Sequence, residues 1–355
     1  MKSDDILYPI SEELSSKLYK WYVKNRRLLP WRKSKDPYEI WISEIMLQQT
    51  QVKTVIPYFK RWLERFSNVK ILAEADMELV LKTWEGLGYY RRVYQLKSAA
   101  EMIFRERNSI FPNTYKDWLA LPGIGPYSAA ALASILNGEK YGVVDGNSKR
   151  VISRLYMIEA DSGTAQFKSN IADIIKRSFF AFHPGELNQA WMELGALICL
   201  PKPHCQQCPL KEYCEAWLHN RMTEFPVKKN RGKLPLLTGA AFILQDGDKL
   251  LMVKRPQRGL LSGMWELPNT IYEEQPLADF TLANEIIIER TFIKKAKHQY
   301  THFKVELDII EGSLRSPWWN DYWIEHRWLT ASELEKLPIA KVHHLALHIA
   351  GVKKF

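Results

Sequence analysis

All four cysteines of the 355-residue chain fall within sixteen residues, Cys199, Cys205, Cys208 and Cys214, spaced C-x5-C-x2-C-x5-C. Four thiolates so close in sequence can share one centre, and an all-cysteine set of four holds either Zn²⁺ or an iron–sulfur cluster. Structural zinc sites usually pair two short C-x2-4-C knuckles across a spacer. Here a single C-x2-C lies between two wider gaps, which better fits one cluster ligated from one compact loop. A zinc site, or four reduced thiols without a metal, are the other readings of this spacing. Lys202, His204 and Lys211 lie among the ligands and make the loop basic, as an anion-binding element would be. Two carboxylates stand out elsewhere. Asp36-Pro37 starts a helix, and Glu44 follows between Ile42 and Ile45–Leu47. An acid beside an apolar face has a raised pKa, as a general acid needs; the plainer reading is a solvated helix glutamate. Asp145 precedes a helix beginning near Ser148, where the helix dipole holds a carboxylate ionised; the plainer reading is an Asp-Gly turn or an N-cap. Together the two acids could cleave a glycosidic bond, one protonating the leaving group and the other steadying an oxocarbenium ion. In LPGIGPYSAAALAS, 121–134, Gly123 and Gly125 leave backbone N–H groups bare at a helix N-terminus that Pro126 begins. Such a turn can hold a phosphate oxygen or be an ordinary helix corner. The cysteine loop and the basic balance favour the first reading.

These groups need a frame. From about 11 to 220 apolar residues recur at three- and four-residue steps, as in Ile40, Trp41, Ile45, Leu47, Val52, Val55, Ile56 and Phe59, so this part reads as helical. TEFPVKKNRGKLPLL, 223–237, is basic with two prolines and a glycine, and reads as a linker. Beyond it AAFILQ, an Asp246-Gly247 turn and KLLMVK predict a hairpin, HFKVELDII a further strand, and WLTASELEKL a C-terminal helix capped by Thr330 or Ser332. The second domain is therefore α+β. Fifty Lys and Arg against 40 Asp and Glu give a net charge of +10, which favours a polyanionic partner, nucleic acid before membrane. Thirteen Trp and 16 Tyr add surface that can stack on bases. The start, MKSDDILYPI, lacks the apolar core of a signal peptide, and runs such as Ala129–Leu136 are too short for a membrane span. A cytoplasmic protein is expected, nucleoid-associated if bacterial, with no membrane partner.

DPYEIWISEIMLQQTQV, EGLGYYRR, LPGIGPYSA, VVDGNSKRV and the cysteine loop resemble, in order and over nearly the whole chain, the MutY family of helix–hairpin–helix DNA glycosylases. The resemblance implies an all-α helix–hairpin–helix glycosylase domain (1–222) with a [4Fe-4S] loop, the linker 223–237, and an α+β Nudix-like domain (238–355). It implies a monomer acting on double-stranded DNA that contains 8-oxoguanine:adenine mispairs, and removal of the adenine. Carried over by position, Glu44 resembles the acid that protonates adenine N7 and Asp145 the carboxylate that stabilises the sugar cation, with Tyr127 and Asn147 as further active-site groups. Trp31, Arg32, Leu47 and Gln189 resemble the lining of a pocket for the flipped adenine. Gln49 and Tyr89 resemble wedge residues that enter the base stack. Related endonuclease III enzymes carry a lysine where Tyr127 stands; a tyrosine cannot form a Schiff base, which implies a monofunctional enzyme using water. After RPQRGLLSGMWELPN, 255–269, the glycine and paired glutamates of a Nudix hydrolase are missing, so hydrolysis there is not expected. The loop that reads Phe-Ser-His in the family reads Tyr300-Thr301-His302 here, and the first cysteine gap is one residue shorter than in the family. An endonuclease III-type pyrimidine glycosylase/lyase, a non-catalytic DNA-binding protein and a nucleotide hydrolase are the competing readings. Tyr127, the Glu44/Asp145 pair and the broken Nudix pattern oppose them in turn.

Overall fold

Local signals set most helix starts. The side chains of Ser11, Asp36, Asn68, Asp76, Thr114, Asp145 and Thr164 each accept a backbone N–H in the first turn of the helix that follows. Proline occupies the first turn of three helices: Pro37 in the one Asp36 caps, and Pro126 and Pro184 in two others. The structure is a computed structural model and describes residues 8–227, 234–257, 259–300, 302–318 and 320–352. Twelve helices run before the first strand among the described residues: α1 (Glu12–Asn25), α2 (Pro37–Leu47), α3 (Val52–Arg65), α4 (Val69–Glu74), α5 (Met77–Trp84), α6 (Arg91–Glu106), α7 (Tyr115–Leu119), α8 (Pro126–Asn137), α9 (Gly146–Leu155), α10 (Ala165–Arg177), α11 (Pro184–Leu197) and α12 (Glu215–Leu218).

In space the chain groups into two units, Met1–Phe59 with Ala99–Arg231, and Lys60–Ser98 with Gly232–Phe355. Residues 60–98, helical and N-terminal in sequence, thus pack with the C-terminal part. The first unit has a core in which Leu18 and Tyr22 of α1, Val151 and Ile152 of α9, Ile171 and Ile175 of α10, and Trp191 and Leu194 of α11 are buried. Burying each such side chain contributes about 1.5–3 kcal/mol. Cys199, Cys208 and Cys214 pack against the edge of this core, so the cysteine loop is seated on α9 and α11 rather than standing free.

The second unit carries strands β1 (Leu236–Asp246), β2 (Lys249–Lys254), β3 (Trp265–Glu266), β4 (Asn269–Ile271), β5 (Ile286–Gln299), β6 (Lys304–Leu314) and β7 (Glu325–Leu329), with helices α13 (Leu277–Ala283), α14 (Ala331–Leu334) and α15 (Lys341–Ile349). The sheet order is β3-β2-β1-β6-β5, with β4 paired to β1 and β7 to β2. β1 and β6 run parallel, Leu236 opposite Lys304. One sheet face packs Ala241, Ile243, Leu307 and Ile309 against Val342, Ala346 and Leu347 of α15. The other packs Ala240, Phe242 and Leu244 against Phe280, Trp318 and Trp323. Because both faces are covered, β1 is an unbroken apolar run instead of an alternating one.

Two local expectations shift. Asp246 pairs with Lys249, so the hairpin turn is Gly247-Asp248, one residue later than the Asp246-Gly247 pair suggested. Gly247 takes φ +58, which a residue without a Cβ adopts at little cost. Thr330 does cap a helix, through a capping box with Glu333, but α14 is only four residues long, and the longer α15 is a separate element. The linker expected at 223–237 lies partly outside the described residues. α13 carries a single acid, Asp279, so it offers no paired-glutamate face.

Candidate active site

Asp36 accepts the Tyr38 N–H at 2.8 Å and Pro37 opens α2, which sets the register of the helix that carries Glu44. Tyr38, Ile40, Trp41, Ile42, Ser43, Ile45 and Met46 are all buried, so Glu44 is a half-buried acid in a helix enclosed on nearly every side. Among the described residues its carboxyl accepts no hydrogen bond. Burial pushes its pKa up from 4.5 to about 7; the nearby Asp145 charge adds to this and the Arg32 guanidinium opposes it.

Asp145 has the opposite surroundings. It is the N-cap of α9, and Oδ1 accepts the N–H groups of Asn147 at 2.9 Å and Ser148 at 2.6 Å, while Oδ2 accepts Asn147 Nδ2 at 2.8 Å. Ser148 Oγ accepts the Asp145 N–H at 2.9 Å, which completes a capping box. Three donors and the N-terminus of α9 thus meet the Asp145 carboxyl, and the cap geometry fixes where that carboxyl sits, so the two readings of Asp145 are compatible. Tyr127, on α8, donates to Met192 Sδ at 3.7 Å. Burial first, then the charges of Glu44 and Asp145, raise its pKa well above 10, so it stays a neutral phenol.

Arg32 anchors a further part. Its Nη2 donates to Glu193 Oε2 at 2.8 Å, and Arg27 holds the same carboxylate through Nε at 2.8 Å and Nη2 at 2.9 Å. The Glu193 side chain is 1% exposed. Burial alone would raise its pKa, but the two guanidiniums more than reverse that and bring it to about 2. Trp31 is buried edge-on against Phe59 with ring centres 5.4 Å apart. Gln189 Oε1 accepts the Tyr22 hydroxyl at 2.8 Å, and Arg32 lies over the same Tyr22 ring at 5.8 Å. Leu47 is half-buried at the end of α2, where Gln48 Nε2 donates to Ser128 Oγ of α8 at 2.9 Å. The structure thus brings Arg32, Glu44, Tyr127, Asp145 and Asn147 into one electrostatic neighbourhood of the first unit. Gly123 and Gly125 lie in the turn between α7 and α8, Gly123 at φ +77 and Gly125 as the N-cap of α8.

Gln49 and Tyr89 belong to different units and share an uncommon backbone state, φ 57 and φ 50. Left-handed φ at non-glycine residues costs roughly 1–3 kcal/mol and concentrates at functional sites. Tyr300 and His302 lie at the tip of the β5–β6 hairpin, where the Tyr300 N–H donates to Phe303 O at 2.9 Å and the two rings stack at 4.8 Å. His302 is exposed; Thr301 lies outside the described residues.

The four cysteines form no disulfide and together line one cavity with Arg154, Lys211 and Trp217. Burial pushes the thiols of Cys208 and Cys214 up to about 12 and about 11. Among the described residues no group of three or more His, Cys, Asp or Glu is drawn close enough to hold a single metal ion. α9 ties this loop to Asp145. Arg150 donates to Cys199 O at 2.7 Å and to Asn147 Oδ1 at 2.9 Å, and Arg154 donates to Leu200 O at 2.6 Å and Pro201 O at 3.0 Å. Glu193, Arg27, Arg150 and Arg154 are site-supporting residues not singled out from sequence. Glu193 carries a usable signal, an acid inside the apolar helix WMELGAL.

Residues 42–177 match the HhH-GPD superfamily of base excision DNA repair proteins, and residues 239–348 match the NUDIX domain. The structure of a thermostable thymine-DNA glycosylase superposes with a TM-score of 0.54 at 26% identity, covering 59% of this chain and 96% of that one. An endonuclease III–DNA complex superposes at 0.50 and 18% identity, which speaks to fold alone. Fold and family together make this chain a base excision repair DNA N-glycosylase with a C-terminal Nudix-like domain. Adenine DNA glycosylase from Buchnera aphidicola subsp. Baizongia pistaciae is 35% identical over 293 residues, 82% of this chain and 83% of that protein. The human protein of that name is 33% identical over 311 residues, 72% of this chain and 57% of its own length. The chain belongs to the adenine DNA glycosylase family. Among the described residues no helix is long and apolar enough to cross a membrane.

Proposed function

We propose that this chain removes adenine mispaired with 8-oxoguanine, and also with guanine, from double-stranded DNA, acting as a monomer and without cutting the strand. The observation that carries the reading is the pairing of a carboxyl with pKa near 7, Glu44, with the Asp145 carboxyl, whose oxygens accept three hydrogen bonds at the N-terminus of α9. The proton on Glu44 goes to N7 of the flipped adenine as the glycosidic bond breaks. Asp145 offsets the positive charge that develops on the sugar, and water completes the substitution. Tyr127 provides no amine for a covalent adduct. Trp31, Arg32, Leu47 and Gln189 line the adenine pocket, with Glu193 holding Arg32 in place. Gln49 and Tyr89 fill the stack, and the glycines of the α7–α8 turn present N–H groups to the phosphate backbone. The linear organisation is a glycosylase domain at 1–222, a linker at 223–237 and a lesion-reading domain at 238–355.

Cys199, Cys205, Cys208 and Cys214 would hold a [4Fe-4S] cluster whose contribution is to pin the basic loop against α9. Base release should be assayed on duplexes with adenine opposite 8-oxoguanine, adenine opposite guanine, and oxidised thymine. Adenine release from the first two, with strand breaks only after alkali, is expected. Release of oxidised thymine with cleavage in the absence of alkali would overturn the reading. Changing Thr301 and His302 together to alanine should lower excision opposite 8-oxoguanine and spare excision opposite guanine; an equal loss on both would remove lesion reading from that loop.

A further inference from the structure

Within the second unit, one half-buried carboxylate sits at the meeting point of two elements to which opposite-strand recognition is assigned above. Glu85 caps α5 and opens the loop Glu85-Gly-Leu-Gly-Tyr89, at whose end Tyr89 takes its left-handed φ. Its Oε1 accepts the Ile339 N–H at 2.7 Å and meets His344 Nε2 at 2.9 Å; its Oε2 accepts Lys82 Nζ at 2.7 Å. The same Lys82 donates to Leu337 O at 2.9 Å. Ile339 bridges to Trp265 of β3, and His344 lies on α15, which packs on β5. β5 leads directly into the Tyr300–Phe303 tip. Two flanking contacts fix the same relation. Lys254 of β2 pairs with Glu78 of α5 at 3.2 Å, and the Tyr94 hydroxyl of α6 donates to Ser262 O at 2.9 Å. A carboxylate that joins a backbone N–H, a histidine and a lysine from two chain segments defines one relative placement, because charge-assisted bonds are short and directional.

Building on the lesion-reading assignment proposed above, we propose that Glu85 is a positioning residue that locks the Tyr89 loop to the β5–β6 hairpin through Ile339 and His344, so that wedge and lesion reader act as one rigid element and set the preference for 8-oxoguanine over guanine. Glu85 itself contacts neither base.

The test uses the full-length protein as the parent, Glu85→Gln, His344→Gln and the double variant. Single-turnover adenine excision is measured opposite 8-oxoguanine and opposite guanine, and amide hydrogen exchange is followed in the free protein. The selectivity ratio is expected to fall roughly tenfold in each single variant, the size of losing one charge-assisted hydrogen bond, while the rate opposite guanine stays within about twofold. The double variant should fall no further than Glu85→Gln, because both changes break one link. Exchange should accelerate in both the 86–90 and the 299–303 segments. An unchanged ratio in both single variants overturns the proposal, as does an equal loss on both substrates. If the parent shows no preference for 8-oxoguanine, the lesion-reading assignment fails. Exchange then decides the coupling alone: a joint rise in both segments supports it, and a rise confined to one overturns it.

Discussion

Glu44→Gln separates chemistry from electrostatics in one variant. In the folded protein Glu44 binds its proton with a pKa near 7 rather than 4.5, chiefly through burial. The folded value lies above the unfolded one, so the native state holds the proton more tightly. Stability is greatest below about pH 4.5, where both states carry the proton. It declines as the pH rises from 4.5 to 7 and is flat above. At about 1.4 kcal/mol for each tenfold in proton affinity, the ionised carboxyl costs the fold about 3 kcal/mol above pH 7. Glutamine keeps the size and polarity of the protonated acid and cannot ionise. Glu44→Gln should therefore be more stable than the parent by up to about 3 kcal/mol at pH 8 and nearly equal to it at pH 4.5. Loss of the general acid should slow adenine release by a factor on the order of 10²–10⁴ while leaving binding of mispaired DNA almost intact. Denaturant unfolding at the two pH values and single-turnover excision with the parent and variant are the measurements. Equal stability at pH 8 would show that the carboxyl is not held in an apolar recess, and full excision would remove Glu44 from the mechanism. Both results together would sink the reasoning.

Asp145→Asn should abolish turnover with little effect on melting, since asparagine caps a helix about as well as aspartate; single-turnover excision within about twofold of the parent would leave Asp145 as a cap only. Gly195→Ala should destabilise the protein by about 1–3 kcal/mol and slow excision, because the added methyl would lie 2.6 Å from Asn147 Cβ in the turn that holds Asp145; a neutral melting curve would refute this. The purified protein should be yellow-brown with roughly four irons per chain, and stoichiometric zinc without iron would overturn the cluster assignment.

Much of the site was legible in the sequence because its determinants are short-range. A cap is set by a residue and the two or three that follow it, so Asp36-Pro37, Gly125-Pro126 and Asp145 announced the starts of α2, α8 and α9. Four cysteines within sixteen residues allowed one shared centre wherever the loop lay. The resemblance to MutY-family motifs supplied roles that composition and periodicity do not. Other features depend on side chains far apart in the chain. Glu44 and Asp145 come from separate parts of the chain, and the opposing effects of Asp145 and Arg32 on the Glu44 proton exist only once the chain is packed. Glu193 looked like one more helix acid until folding brought Arg27 and Arg32 to it from the N-terminal end. The grouping of residues 60–98 with the C-terminal part has no signature in helical periodicity, because Glu85 reads locally as a polar residue after a helix. Local hydrogen-bonding rules determine where elements begin, end and turn. Coulomb interactions and burial depend on three-dimensional distance, which only the packed chain decides.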